Sequence, residues 1–319
     1  MNRWLHCACL ISLLAVPAVA ADFPTKPIRV IVPWPAGGST DTIARVIGQR
    51  LTVISGQPVV IDNRGGAAGT IGANIASKAT PDGYTLVIVE GSHLVMPATT
   101  AGLGYDLARD FAPLTLIGIS PFVVFLHAGL PVKSLADFIA IAKSKPGLVP
   151  AAHTGVGSFT HLCIEMLQMR TGVKFNQVSY KGAAPAVIDL ASGEVHMYMA
   201  TYASGAGMLR TGRVRAIAVA SEKRIAALPE VPTLAEIGIQ DMVVTQWWGY
   251  VAPAKVPGAV LARLHKDLVA AIDDASVRER LTELAVDVTT SSPERLKAHI
   301  VSELQRWAAV ARNAGLKPQ

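Results

Sequence analysis

The stretch Ile28-Arg29-Val30-Ile31-Val32-Pro33-Trp34-Pro35-Ala36-Gly37-Gly38-Ser39-Thr40-Asp41 decides how this chain is read. An apolar run suited to a buried strand ends in two prolines, turns through a glycine pair, and enters a helix through small hydroxyl residues. The helix behind it, Thr40–Ile54, carries Ile43, Val46, Ile47, Leu51 and Ile54 on one face. The first turn of such a helix offers unpaired backbone N–H groups and the positive end of the helix dipole, a seat for an anion. Ala36, Gly37, Gly38, Ser39, Thr40 and Asp41 are therefore candidate ligand-binding residues. The glycines let backbone approach a ligand, Ser39 and Thr40 supply hydroxyls or a cap, and Asp41 braces the loop or favours the first turn. An ordinary strand-to-helix turn is the plainer alternative.

On the N-terminal side the chain reads as an export signal over residues 1–20. Arg3 is the positive end, Leu10 to Val16 the apolar stretch, and Ala18-Val19-Ala20 the small-residue cleavage site. That apolar run is too short for a membrane span of about 20 residues. The expected location is the periplasm. Removal of the signal takes Cys7 and Cys9 with it and leaves Cys163 alone, so no internal disulfide is expected.

A chain of 319 residues is long enough to bury most of its unfolded surface and to divide into two domains. The formal net charge of +6 is spread without a Lys/Arg run longer than two residues, so no nucleic-acid partner is indicated. Mean hydropathy is +0.39, yet no later segment has the uninterrupted apolar length of a span, so the mature chain reads as soluble.

Short apolar runs alternate with helix-period segments throughout, the pattern of α/β architecture with largely parallel strands. Further strands are expected at Val59–Asp62, Tyr84–Val89, Leu114–Ile119, Phe122–His127, Asn176–Ser179, Glu194–Ala200, Val214–Val219 and Val243–Ala252. Helices are expected at Leu135–Lys143 capped by Ser134, Phe159–Arg170 begun by Ser158, and Gly258–Ala271 opened by Pro257. A last helix starts at Pro293 and places Leu296, Ile300, Leu304 and Trp307 at helical spacing. Without a Gly/Ser linker, two domains must be joined by strands, and Phe122–His127 and Gln246–Ala252 are the candidates. The first domain is then discontinuous, 21–122 with 246–319, and the second is 123–245.

Thr154-Gly155-Val156-Gly157-Ser158 repeats the form of the opening loop: short strand, Gly-rich turn, hydroxyl-led helix. Thr154, Gly155, Gly157 and Ser158 join the candidate ligand set, as the second half of a clamp for a small acid. His161 is read as a packing residue. Strand ends add Ser92, Lys181 and Thr201, positions where open α/β sheets place ligands. Lys181 attracts a carboxylate or is merely solvated, and Asp189 orients a loop or sits on the surface. Asp62 to Gly72 invites a dinucleotide reading, but the first glycine of that fingerprint falls on Arg64, so a tight turn with close helix–sheet packing is preferred. No nucleophile elbow or metal-ligand spacing occurs, and Cys163 sits mid-helix among Leu162, Ile164 and Leu167. No catalytic residue, metal or cofactor is assigned. Trp247-Trp248 is read as core or cleft wall.

Taken in order and spacing, these segments resemble the extracytoplasmic solute receptors of tripartite tricarboxylate transporters. The resemblance runs through Pro27 to Pro33, Pro35 to Asp41, Gly56 to Val60 with Asn63-Arg64, Pro81 to Leu86, and Gly155 to Ser158 with His161-Leu162. It continues through Tyr180-Lys181-Gly182 with Pro185-Ala186, Leu228 to Thr233, and Trp248-Gly249 with Ala252-Pro253. It implies a type II periplasmic binding fold: two α/β domains, two crossing strands, and a ligand cleft between. It also implies a monomeric receptor that closes on a small organic acid and delivers it to a membrane permease pair. Di- and tricarboxylates, acidic amino acids and aromatic acids all remain open. A receptor presenting its closed form to a sensor kinase is the alternative, and a hydrolase is less favoured. The chain departs from the family pattern at Glu90–Met96, with His93 and Met96-Pro97 where a Ser/Thr-rich stretch and Asn-Pro are usual. Trp34 replaces a more common Phe. Both departures adjoin the expected pocket and bear on ligand identity, as do His161 and Trp247.

Overall fold

The computed structural model describes residues 23–313 and Pro318, so the expected export signal lies outside the described residues. Strand β1 (Ile28–Val32) lies between β2 (Val59–Asn63) and β3 (Thr85–Glu90), all parallel. Strand β9 (Thr245–Pro253) runs antiparallel to β3 and to β4 (Phe111–His127). The far half of β4 enters a second group of strands, where it pairs antiparallel with β7 (Met197–Thr201) and β8 (Val214–Val219). There β5 (Pro150–His153) runs parallel to β7 and to β6 (Asn176–Ser179).

The 17-residue β4 is thus shared by both halves, whereas the sequence predicts two strands broken at Ser120-Pro121. Proline ends a central strand because it has no N–H for the ladder. Here Pro121 faces Thr245, the first residue of β9, and the next amide, Phe122, donates to Val244 instead. The proline falls where β4 changes partners, so its missing donor breaks nothing. The return crossing is the extended run Met242–Val244 leading into β9, with the Val244 amide bonded to Ala220 O. Strand β7 also starts three residues later than expected, because 193–196 form a turn.

Helix α1 (Ser39–Ser55) keeps Ile43, Ile47 and Leu51 fully buried, about 1.5–3 kcal/mol each, and stops at Gly56 in the left-handed conformation. The C-terminal helices return to the first half. Helix α8 (Gly258–Ile272) packs on α1, and α10 (Pro293–Asn313) packs on α3 (Gly91–Thr99). Trp307 of α10 also meets Phe159 edge-on at 4.8 Å, which ties it to the other half. Gly72 lies so close to Pro33 that a Cβ would come within 2.7 Å, the close helix–strand approach expected for that segment. Among the described residues no helix is long and apolar enough to cross a membrane.

Candidate functional site

A cleft lies between the two halves. Five helices begin at it: α1, α3, α5 (Phe159–Thr171), α6 (Ala183–Ser192) and α7 (Tyr202–Arg210). Strand ends of a parallel sheet deliver the chain to one edge, so the positive ends of the following helices gather there.

The α1 loop is built from within. Gly37 turns at φ +88, a conformation that favours glycine. Its amide donates to Asp41 Oδ2 at 2.9 Å, and Asp41 also accepts from Arg45 Nε at 3.0 Å and Asn63 Nδ2 at 2.9 Å. Burial raises the Asp41 pKa, but the bonds from Arg45, Gly37 and Asn63 outweigh it and hold the carboxyl below its usual range. Asp41 is therefore the brace of this loop and does not line the cleft. Gly38, Ser39 and Thr40 do line it, while Ala36 and Gly37 are exposed outside. Gly38 caps α1 without a side-chain bond, and the Ser39 and Thr40 amides have no acceptor among the described residues. Trp248 Nε1 donates to Thr40 Oγ1 at 3.1 Å, which orients that hydroxyl and leaves its proton for a ligand.

The loop before α5 differs. The Thr154 amide goes to Thr160 Oγ1 at 2.9 Å, Gly155 to His153 Nδ1 at 3.2 Å, and Gly157 to His161 Nδ1 at 3.1 Å. Ser158 Oγ caps the helix by accepting from the His161 amide, and the Phe159 amide crosses to Ser92 Oγ at 3.2 Å. The amides of the second expected cradle are thus mostly committed to the protein itself. Thr154 lines the cleft with Thr160, whereas Gly155, Gly157 and Ser158 pack behind it. His161 stacks on His153 and faces Glu165 at 3.6 Å, away from the cleft lining.

Opposite α1 stands the start of α6, which sequence reasoning did not single out. Gly182 precedes it at φ +151, and a Cβ there would lie 2.8 Å from Pro35 Cδ. Only glycine lets the two loops meet. A Cβ on Gly38 would rest 3.7 Å from that of Ala183, and the Ala183 and Ala184 amides have no acceptor among the described residues. Thr201 caps the neighbouring α7 and bonds Ser204 Oγ at 3.0 Å, and both line the cleft. Lys181 is exposed and is not part of the lining. Tyr180 holds Asp189 at 2.7 Å, tying the loop before α6 to that helix.

The floor is aromatic and acidic. Trp34, Phe122, Phe159 and Tyr198 line it with Glu90 and Gln246. Glu90 ends β3 and caps α3, accepting from the Ser92 amide at 3.2 Å and from Gln246 Nε2. Burial pushes its carboxyl up to about 7 against the lowering bonds from Ser92, Gln246 and Trp34. Burial also drops His93 to about 4, so the ring is neutral and its Nδ1 accepts from the Glu90 amide at 3.2 Å. Trp247 lies in the core against His299 and not in the cleft wall. Neither Lys, Arg nor His occurs in the lining, and the described residues hold no cluster able to ligate a metal. Cys163 is fully buried, and that burial pushes its thiol far up, so no thiolate is offered. Glu90 could have been found from sequence as an acid at a strand end before Gly-Ser; Gln246 carries no such signal.

An α/β cleft of this kind, walled by helix N-termini from both halves, defines a solute-binding protein. The chain belongs to the tripartite tricarboxylate transporter family of receptors, whose family profile matches residues 43–316. It is 35% identical to protein BugT of Bordetella pertussis over 306 residues, 95% of this chain and 94% of that protein. It superposes on the periplasmic binding protein BugD with a TM-score of 0.90 at 31% identity, covering 93% of this chain and all of that one. Rpa4515 of R. palustris, a structure with adipate, has a TM-score of 0.90 at 34% identity over 93% of this chain and all of its own.

Proposed function

We propose that this chain is a periplasmic receptor that closes on a small organic carboxylate and presents it to the membrane permease of a tripartite transporter. The observation that carries the proposal is the meeting of α1 and α6. Two helix N-termini, each with unpartnered amides, face each other across loops that touch at Pro35 and Gly182. Each end is worth roughly half a positive charge, so together they repel until a carboxylate sits between them. Thr40, Thr201 and Ser204 supply hydroxyls beside that seat. The ligand binds the closed arrangement better than the open one, and that difference drives closure.

In this reading residues 1–20 are a cleaved export signal, 21–122 with 246–319 and 123–245 are the closing units, and the receptor acts as a monomer. In this reading it releases its ligand unchanged. Bound Rpa4515 holds a dicarboxylic acid, which supports a carboxylate as the ligand class. Calorimetry against mono- and dicarboxylates and neutral sugars tests this. Carboxylate binding with release of heat and a smaller radius of gyration in X-ray scattering is the expected result. Sugar binding without any carboxylate response refutes it.

A further inference from the structure

Glu90 is a carboxyl on the floor of a site proposed to take carboxylates, and nothing basic stands beside it. Its two oxygens accept from the Ser92 amide and Gln246 Nε2, the Trp34 indole also bears on it, and none of these donors is a cation. The titratable and polar groups that face it are Ser92 and His93 of α3, Gln246 of β9, Trp34 after β1, Tyr198 of β7, and Tyr105 of the segment after α3. His93 Nδ1 is 4.0 Å from Oε1 but its ring is neutral. Tyr105 and Tyr198 are phenols whose ionisation is suppressed by burial and by Glu90. The other acid near the cleft, Asp41, has its cation in Arg45. Glu90 has none.

We propose that Glu90 is a specificity-determining residue that pairs with a cationic nitrogen of the ligand, so that the cleft prefers an amine-bearing carboxylic acid over a dicarboxylic acid of the same length. The inference rests on the receptor reading above. In it the ligand carboxylate occupies the α1–α6 seat and its ammonium reaches the floor. A second carboxylate at the floor would face Glu90, and one of the two would have to hold a proton. An ammonium there meets a carboxylate that has no other cation, away from bulk water, in a lining that includes the aromatic side chains of Trp34, Phe159 and Tyr198.

The two ligand classes respond oppositely to pH. Between pH 6 and 8 Glu90 passes through its raised pKa of about 7, while ligand carboxyls and amines titrate near about 4 and about 10. Ionised Glu90 binds the ammonium, and protonated Glu90 can donate to a carboxylate. Affinity for the amine-bearing acid therefore rises with pH across this range, and affinity for the dicarboxylate falls.

The test is titration calorimetry of the mature chain with two matched pairs, 5-aminopentanoate against glutarate and 4-(aminomethyl)benzoate against terephthalate, at pH 6, 7 and 8. At pH 8 the wild type is expected to bind the amine-bearing member at least tenfold tighter. Glu90→Gln is expected to erase or reverse that gap. If Glu90→Gln does not fold, the opposed pH slopes of the wild type decide the matter alone. Equal or tighter dicarboxylate binding at pH 8, or parallel pH slopes, overturns the role of Glu90 and leaves the receptor reading standing. Binding of neither class overturns both.

Discussion

Ser92→Ala isolates the energy of closure. Ser92 sits in the first turn of α3, where alanine is a good helix former, so the substitution leaves the helix itself intact. What it removes is the hydroxyl that accepts the Phe159 amide at 3.2 Å, a bond between α3 of one half and α5 of the other. Ser92 is 2% exposed, so water does not replace the lost acceptor. A buried N–H left without a partner costs about 1–3 kcal/mol. That cost falls on the closed arrangement only, because an open cleft returns the Phe159 amide to solvent. Ligand dissociation constants should therefore rise roughly 5- to 150-fold at about 1.4 kcal/mol per decade. The melting temperature of ligand-free protein should hardly move. Calorimetry with the best carboxylate, beside thermal unfolding with and without it, reads both quantities. Unchanged affinity refutes the argument. An equal loss of stability in ligand-free protein also refutes it, since the bond would then belong to the fold and not to closure.

Three further outcomes follow from the geometry. Gly182→Ala places a Cβ 2.8 Å from Pro35 Cδ at a φ of +151, so it should weaken carboxylate binding at least tenfold, and scattering should show a cleft that no longer closes on ligand. For Glu90 the folded pKa of about 7 exceeds the ordinary 4.5, so its contribution to stability is whole below about pH 4.5 and is lost as pH rises through 7. The loss by pH 8 is about 3 kcal/mol, and denaturant titrations of Glu90→Gln should show that stretch of pH dependence flattened. Asp41→Ala should free the Gly37 amide and leave Arg45 and Asn63 without their shared acceptor, costing about 1–3 kcal/mol in urea unfolding and weakening ligand binding; wild-type affinity with unaltered stability would remove Asp41 as the brace.

Much of this protein is legible locally. The period of Ile43, Ile47 and Leu51, the left-handed stop at Gly56 and the Ser134 and Ser158 caps are all set by neighbours within a turn or two, so α1, α4 (Leu135–Ser144) and α5 fall close to where the sequence puts them. The run of residues from Pro27 to Pro253 also carries the family. Two other features are not local. Pro121 reads as a strand breaker until the partner strands are known, because its missing donor matters only if something needs it there.

The ligand seat shows the same division. Two loops of one form, Pro35–Asp41 and Thr154–Ser158, read alike as anion cradles, since both supply glycines, hydroxyls and a helix start. In the fold they are unequal. The amides before α5 are taken by His153, His161, Thr160 and Ser92, the last of these 67 residues away, while those of Ser39 and Thr40 remain free. Their counterpart proved to be Ala183 and Ala184, and the floor a buried Glu90 held by Gln246, 156 residues distant. The chain by itself determines that N–H donors will be presented at helix starts, because that depends on turn chemistry. Which donors stay unpaired, and which acid loses its water, depends on acceptors and walls brought from elsewhere, and only the tertiary structure decides that.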